Sequence, residues 1–255
     1  MDPLSALVII AAGMAAGTMN AIVGSGSLIT FPVLLLLGYP PLVANVTNTL
    51  GVVPGSISGS IGYRRELSGQ RARAMPLILA ALLGGITGAG LLLVLPASAF
   101  ARIVPILILV AVVLVAIQPR LSAWVLERRA RRGHDGQHNG GPVLLAGVYL
   151  TGIYGGYFGA AQGVILIALL SILIDDDLQR LNGLKNVIAA VINSVAAIIF
   201  IVVAPVAWVP AILLAIGSTL GGLLGAVVGR RLSPFVLRGV IMLVGTIVAV
   251  KLLLG

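Results

Sequence analysis

The sequence predicts an all-α polytopic membrane protein made of two inverted repeats, with eight long transmembrane helices and two short broken or re-entrant segments. Three features lead to this prediction: the composition, the lengths of the apolar stretches and the positions of the basic residues. Of the 255 residues, 59% are hydrophobic and only 9% are charged, and the mean hydropathy is +1.16. A chain this apolar needs lipid as its main solvent.

The apolar stretches divide into two length classes. A helix that crosses a membrane needs about 20 apolar residues. The predicted crossings are residues 4–22, 42–62, 75–95, 103–117, 143–160, 186–204, 210–229 and 235–254. Two other stretches, 28–37 and 163–174, are too short to cross, and each follows a glycine-rich break. Each is therefore predicted to be half of a re-entrant or discontinuous hairpin.

The positions of the basic residues distinguish two possible membrane topologies. If the short segments return the chain to the side it came from, every basic residue except Arg102 and Lys251 lies in the cytoplasm and both termini lie outside. If they merely extend their neighbours, the second half turns over and Arg180 and Lys185 move outside. The positive-inside rule favours the first topology. It predicts a first repeat at 1–118, a basic cytoplasmic linker at 119–141 and a second repeat at 142–255, with an amphipathic helix extension at 121–132.

The net charge of +9 is explained by this topology. No basic face with interleaved aromatic residues occurs, so we expect no binding to nucleic acid. The chain contains no cysteine, which excludes disulfides and thiolate metal sites.

The two halves share landmarks in the same order and at nearly the same spacing. In the first half these are Gly17, Gly24, Asn48 and Ser56, and in the second half Gly152, Gly159, Asn186 and Ser194. Inverted repeats are a recurrent plan of secondary transporters, because two similar halves allow inward-open and outward-open states of similar energy. Some channels share this plan.

The first break is the strongest candidate for a binding site. Asn20, Gly24, Ser25, Gly26 and Ser27 interrupt an apolar helix, so N–H groups are freed at membrane depth. The start of the next half-helix would present these donors and the positive end of a helix dipole to an anion.

The second break repeats this arrangement with Gly159, Gln162 and Gly163. The alternative for any such glycine is that it only allows close helix packing. We favour packing for the pairs 13/17, 84/88 and 221/225, and a site for the two breaks, because packing requires neither polar residues nor a short returning segment.

A further polar group contains Asn48 in the first half and Lys185 and Asn186 in the second. Asn48 and Ser56 share one helix face, as Asn186 and Ser194 do. Such faces either join helices by hydrogen bonds or line a site, and the residues leave both alternatives open.

Acidic residues are absent from the middle of every predicted span. Neutral donors together with Lys185 therefore favour an anion over a cation. His134 and His138 lack a third ligand, so no metal site is predicted, and Asp175–Asp177 are expected to cap the following helix. No catalytic motif occurs, and we predict neither an enzyme nor a cofactor.

Two motifs resemble those of a known family. They are Gly-Ser-Gly followed by Leu-Ile-x-x-Pro, which ends at Pro32, and Leu-Gly-Tyr-Pro-Pro-x-x-Ala-Asn-x-Thr-Asn, which ends at Asn48. Together with Leu-Asn-Gly-Leu-Lys-Asn at 181–186 they are similar to the TauE/SafE sulfite-exporter family of bacterial permeases. The resemblance implies a multi-pass protein of the bacterial inner (plasma) membrane that moves sulfite, a sulfonate or a related organosulfur anion, driven by an ion gradient.

The functional prediction is a secondary-active permease that works by alternating access. The predicted substrate-binding residues are Asn20, Gly24, Ser25, Gly26, Ser27, Asn48, Gly159, Gln162, Gly163, Lys185 and Asn186. The predicted partners are a small anionic substrate, a coupling proton or sodium ion, and membrane lipid. A passive anion channel and a non-transporting membrane scaffold are the alternatives.

Overall fold

The fold was analysed in a computed structural model. The structure describes residues 1–132 and 140–228, and near the C-terminus residues 239, 242–243, 245–250 and 252. Within these ranges the chain is helical and contains no β-strand. The helices are α1 (Pro3–Ile22), α2 (Ser27–Leu36), α3 (Pro41–Gly62), α4 (Arg71–Val94), α5 (Ala97–Arg132), α6 (Gly141–Tyr157), α7 (Gln162–Leu173), α8 (Leu178–Val203) and α9 (Trp208–Val228). The predicted helix extension at 121–132 is confirmed as the end of α5.

Five of the described helices are long and apolar enough to cross a membrane: α1, α4, α8, the Ala97–Leu121 part of α5 and the Trp208–Gly225 part of α9. The chain is therefore a multi-pass, all-helical membrane protein. Helix α3 has 22 residues but carries many amide and hydroxyl side chains, and α6 has only 17 residues. Half of the predicted crossing at 235–254 falls outside the described residues, and Arg230, Arg231 and Lys251 are also outside them.

Both predicted helix breaks are confirmed. Helix α1 ends before Gly24 and α6 ends before Gly159, and the short helices α2 and α7 follow. The N–H of Gly24 donates to the Met19 carbonyl at 3.0 Å, and the N–H of Gly159 donates to the Tyr154 carbonyl at 3.1 Å. The φ angles of the two glycines are 86° and 75°, a left-handed conformation that glycine adopts without steric cost. The two breaks thus end their helices in the same way.

Glycines bring α1 against α9 and α4 against α6. A Cβ atom at Gly17 would lie 2.1 Å from the Ser218 carbonyl oxygen, and one at Gly88 would lie 2.1 Å from the Ile153 carbonyl oxygen. The backbones are in direct contact at both crossings, so no larger residue fits. The predicted packing role of these glycines is confirmed.

Aromatic rings hold the second break against the first short helix. Phe158 lies in the break after α6 and is buried. Its ring meets that of Phe31 on α2 edge to face, with centroids 5.3 Å apart. Phe100 of α5 packs against the same ring at 6.3 Å. Edge-to-face pairs are favourable because the positive ring edge faces the negative ring face.

Helix α8 begins at Leu178 rather than at residue 186, where the apolar stretch begins. The Asp177 carboxylate accepts hydrogen bonds from the N–H groups of Gln179 and Arg180, so the predicted capping by an aspartate of this segment is confirmed. The early start matters for the site, because it places Lys185 within the helix.

An ionic cluster joins the start of α4 to the connection between α7 and α8. Asp176 accepts from Arg73 at 2.6 Å and from Arg180 at 2.9 Å. Burial opposes ionisation of the Asp176 carboxyl, but the hydrogen bonds from Arg73 and the Asp177 N–H, with the charges of both arginines, outweigh it. The pKa of Asp176 therefore lies below its ordinary value of 3.8.

The glycine packing can be tested with two positions on one helix. Gly88→Val places a side chain against the α6 backbone, whereas Gly90→Val points into open space, with nothing within 4 Å. We expect the first variant to lower the thermal unfolding midpoint in detergent by about 5 °C or more, because overpacking costs about 1–3 kcal/mol. The second variant should unfold like the wild type. Equal midpoints for the two variants would contradict the α4–α6 contact.

The ionic cluster predicts a pH-dependent stability. A carboxyl whose pKa is lowered by folding stabilises the folded state above its unfolded pKa, and this contribution is lost as the pH falls through the folded pKa. Asp176→Asn should therefore lower the unfolding midpoint at neutral pH by about 2–4 °C, and the difference from the wild type should shrink progressively as the pH falls below the ordinary carboxyl pKa of 3.8. Asp175→Asn is the matched control, because Asp175 is exposed and no hydrogen bond or ion pair is recorded for it among the described residues. A difference that grows as the solution is acidified would exclude this account.

Candidate functional site

The two helix breaks touch each other. The N–H of Gly163, at the start of α7, donates to the carbonyl of Gly24 at 3.0 Å. A Cβ atom on Gly24 would lie 2.4 Å from the Cα of Gly163, so both positions require glycine. The first and second breaks, far apart in the chain, therefore form one continuous backbone junction inside the protein.

The start of α2 has unused hydrogen-bond donors. The structure records no acceptor, among the residues it describes, for the N–H groups of Ser25, Gly26 and Ser27. The Ser25 hydroxyl also has no partner within the described ranges, although this residue is only 1% exposed. Buried N–H groups are nearly always paired in proteins. Unpaired donors at the positive end of a helix dipole are suited to an anion.

Two of the N–H groups at the start of α7 already donate to carbonyls of the protein. The N–H of Gly163 bonds to Gly24, and that of Gln162 bonds to the Gly159 carbonyl at 3.3 Å. No acceptor is recorded in the described ranges for the N–H groups of Ala160 and Ala161. Ala161 adopts a φ of 59°, which is uncommon for a residue other than glycine. The second break thus offers fewer free donors than the first.

A chain of four polar side chains crosses the centre of the protein. Asn20 on α1 donates to the Ser56 hydroxyl on α3 at 2.9 Å. Asn193 on α8 donates to the same hydroxyl at 3.4 Å and accepts from Gln162 at 2.9 Å. The carbonyl oxygen of the Gln162 side chain has no partner in the part of the chain that is described. Residues beside both breaks are therefore connected through α3 and α8.

Ser56 was recognised in the sequence as a member of a polar helix face, and Asn193 directly precedes Ser194 of the other such face, but neither was among the predicted site residues. Each lies about two turns after a predicted site residue, Asn48 and Asn186, on the same face. This helical spacing from a predicted site residue could have identified both Ser56 and Asn193 as candidates.

Three side chains of α8 converge on the end of α1. Lys185 donates to the carbonyls of Asn20 and Ala21 at 3.2 and 3.3 Å. Asn182 and Asn186 donate to the same Ala21 carbonyl at 3.3 and 3.2 Å. The end of a helix carries a partial negative charge and unpaired carbonyls. These side chains therefore cap the broken helix from outside.

Lys185 is fully buried, and no ion pair is recorded for it among the described residues. A buried ammonium group without a counter-ion is costly. The two carbonyls accept hydrogen bonds from the Lys185 side-chain nitrogen, which therefore lies at the junction in a medium of low dielectric constant, where a charge acts strongly on its neighbours.

Helix α3 contacts the end of the broken helix α6 and the short helix α2 in return. Asn45 donates to the Tyr157 carbonyl, at the end of α6, at 3.0 Å. Asn48 is 1% exposed and accepts from the Thr30 hydroxyl on α2. Asn48 thus holds the body of α2 rather than lying at the break itself. The sequence analysis missed Thr30, which stands alone in an apolar stretch.

The structure therefore brings most of the predicted residues to one place. Those at the junction or bonded directly to it are Asn20, Gly24, Ser25, Gly26, Ser27, Gly159, Gln162, Gly163, Lys185 and Asn186. The described residues contain no group of His, Asp and Glu side chains that could hold a metal ion. His134 and His138 lie outside the described residues.

Comparison with known proteins identifies the family. The model of the family "Sulfite exporter TauE/SafE" matches residues 9–252. The "Probable membrane transporter protein YfcA" of Escherichia coli K12 is 28% identical over 99% of this chain and 91% of its own length. A "Probable membrane transporter protein" of Haemophilus influenzae is 25% identical over 94% of this chain and 91% of its own length.

A third relative, the "Probable membrane transporter protein ORF9" of a Sinorhizobium species, is 25% identical over 95% of this chain and 90% of its own length. No solved structure shows significant similarity to the chain. The family match covers nearly the whole sequence, including both helix breaks and the helices that cap them. This chain belongs to the TauE/SafE sulfite exporter family of membrane transporters.

Proposed function

We propose that the protein is a secondary-active permease that moves a small sulfur-containing anion, sulfite or a sulfonate, across the bacterial inner membrane by alternating access. The observation that carries this proposal is the junction of two helix breaks, where Gly163 bonds to Gly24 and no described residue accepts from the N–H groups of Ser25–Ser27. Family membership supports a transported substrate. A coupling proton or sodium ion completes the proposal.

The proposed architecture has two inverted repeats, 1–118 and 142–255, joined by the linker 119–141 in the cytoplasm. It has eight crossings, and both termini lie outside. Three reciprocal features support it. The breaks have the same hydrogen-bond pattern at Gly24 and Gly159. Helix α1 packs on α9 as α6 packs on α4, and each broken helix is capped from α8 or α3.

The proposed binding site uses the donors that the protein leaves unpaired. The N–H groups of Ser25, Gly26 and Ser27 and the Ser25 hydroxyl would bind the oxygens of the anion. Lys185 would supply positive potential from the end of α1, while Asn48 and Asn186 position the neighbouring helix segments. A pyramidal or tetrahedral oxyanion offers several acceptors to such a donor set.

The Ser25 hydroxyl provides the sharpest test of this site. Ser25→Ala breaks no recorded hydrogen bond, so we expect an unchanged unfolding midpoint. Sulfite or sulfonate counterflow into proteoliposomes should fall about tenfold, because a hydrogen bond to a charged group contributes about 1.5–3 kcal/mol.

The same assay on the wild type tests the alternative functions. Wild-type counterflow that does not saturate would indicate a passive channel. No flux and no anion-dependent stabilisation of the wild type would indicate a scaffold.

Ser218→Ala is the matched control for the Ser25 variant. The Ser218 hydroxyl is buried and donates to the Gly51 carbonyl at 2.6 Å, so its removal should lower the unfolding midpoint by deleting a buried hydrogen bond between α9 and α3. Ser25→Ala should therefore lower flux without lowering stability, whereas Ser218→Ala should lower stability with little effect on flux. Full flux in a stable Ser25→Ala protein would rule out the donor role of this hydroxyl.

Comparing Lys185→Met with Asn182→Ala separates the effect of the Lys185 charge from the effect of losing a hydrogen bond to the end of α1. Methionine keeps the length of the side chain but removes the ammonium group, so we expect a loss of flux greater than tenfold, together with a lower unfolding midpoint. Asn182→Ala removes another donor from the same Ala21 carbonyl without changing the charge, and it should lower stability with a much smaller effect on flux. Equal losses of flux in the two variants would show that Lys185 acts only as a helix cap.

A further inference from the structure

A groove separate from the junction of the helix breaks runs between α3 and α8. Its volume is about 560 Å³, within the range of about 300–1,000 Å³ that is usual for sites of small ligands. The α3 wall includes Ile57, Ser60 and Ile61, and the α8 wall includes Val187, Val191 and Ser194. The groove therefore lies between two central helices.

The groove is open and almost wholly apolar. Ile57 and Ile61 on its α3 wall are 44% and 53% exposed. The hydroxyl of Ser60 is already bonded to the Ser56 carbonyl at 2.8 Å. A water-filled path for an anion would need polar groups along its walls, and apolar walls of this kind exclude water. Its chemistry fits a hydrocarbon chain.

One end of the groove carries a free positive charge. Arg64, just beyond the end of α3, lines the groove and is exposed. No hydrogen bond or ion pair is recorded for its guanidinium group among the described residues. Guanidinium groups bind phosphate with two parallel hydrogen bonds. Basic residues between transmembrane helices at the headgroup level bind anionic lipids in this way.

The length of the groove fits one leaflet of a membrane. Its α8 wall runs from Val187 to Val195, about 12 Å at a helical rise of about 1.5 Å per residue. Half of the hydrocarbon core of a bilayer is about 15 Å thick. The groove therefore covers most of the depth from a headgroup bound at Arg64 to the middle of the membrane.

We propose that the α3–α8 groove binds one anionic phospholipid, with an acyl chain between the two helices and the phosphate on Arg64. The bound lipid would also cover the polar chain at the centre of the protein. Ser194 and Ser60 on the groove walls adjoin Asn193 and Ser56, and those two residues are hydrogen-bonded to each other. This inference does not depend on which anion is transported.

The site can be tested with delipidated protein in detergent by native mass spectrometry and thermal unfolding. Dioleoyl phosphatidylglycerol should bind at least tenfold more tightly than dioleoyl phosphatidylcholine and raise the unfolding midpoint. Arg64→Gln should abolish this preference, whereas Arg65→Gln, at the neighbouring exposed arginine outside the groove lining, should retain it. Equal binding of the two lipids, or equal losses in the two variants, would overturn the proposal.

A second measurement distinguishes lipid from water in the groove. The chain has no cysteine, so Ile57→Cys introduces a single thiol at an exposed position. In vesicles of the folded protein, a charged, water-soluble methanethiosulfonate should not react with it, because a thiol covered by an acyl chain stays protonated and out of contact with water. The same reagent should label it after the protein is unfolded in denaturant. Rapid reaction of the folded protein with the charged reagent would show an aqueous vestibule and refute the lipid site.

Discussion

Every polar group of a backbone inside a membrane must find a partner within the protein, and the two helix breaks are where this constraint acts most strongly. Each break leaves carbonyls at the end of one helix and N–H groups at the start of the next. On the carbonyl side of the first break, Lys185, Asn182 and Asn186 donate to the end of α1. On the amide side, the donors at the start of α2 have no partner among the residues that the structure describes. The first break is therefore satisfied on one side only, and this imbalance supports an anion as the missing partner.

The contact between the breaks depends on close approach of the surrounding helices. Gly24 and Gly163 touch through their backbones, and Gly17 and Gly88 allow α1 to lie on α9 and α4 on α6. Side chains of ordinary size at these crossings would separate the helices by more than the reach of a hydrogen bond. The glycines therefore position the polar residues as well as pack the helices, and both roles follow from the absence of a Cβ atom.

The central helices α3 and α8 connect several parts of the protein. They carry the hydrogen bonds to the broken helices, they join the polar chain at Ser56 and Asn193, and they form the apolar groove on their outer side. A movement of α3 relative to α8 would change the caps, the polar chain and the groove together. In the proposed transport cycle, a rearrangement at the junction of the helix breaks would therefore move α3 against α8 and alter the lipid-facing groove between them.

The sequence by itself predicted the features that depend on neighbouring residues: the helices, their breaks and one helix cap. Apolar length predicted the helices, glycine with polar neighbours predicted the breaks at Gly24 and Gly159, and the aspartates before α8 predicted a cap, because each of these depends on residues that are close in the chain. The resemblance of the motifs to the TauE/SafE family was confirmed over nearly the whole length. The count of eight crossings and the inverted repeats remain predictions.

Tertiary structure decided which groups meet. Lys185 lies 164 residues from the carbonyl of Ala21 that it caps, and the sequence predicted it as a site residue without indicating this partner. Thr30 was missed because a single hydroxyl in an apolar stretch has no local signature until Asn48 is placed beside it. Partners of this kind are set by how the helices pack, a non-local property, whereas the helices and their breaks are set by neighbouring residues.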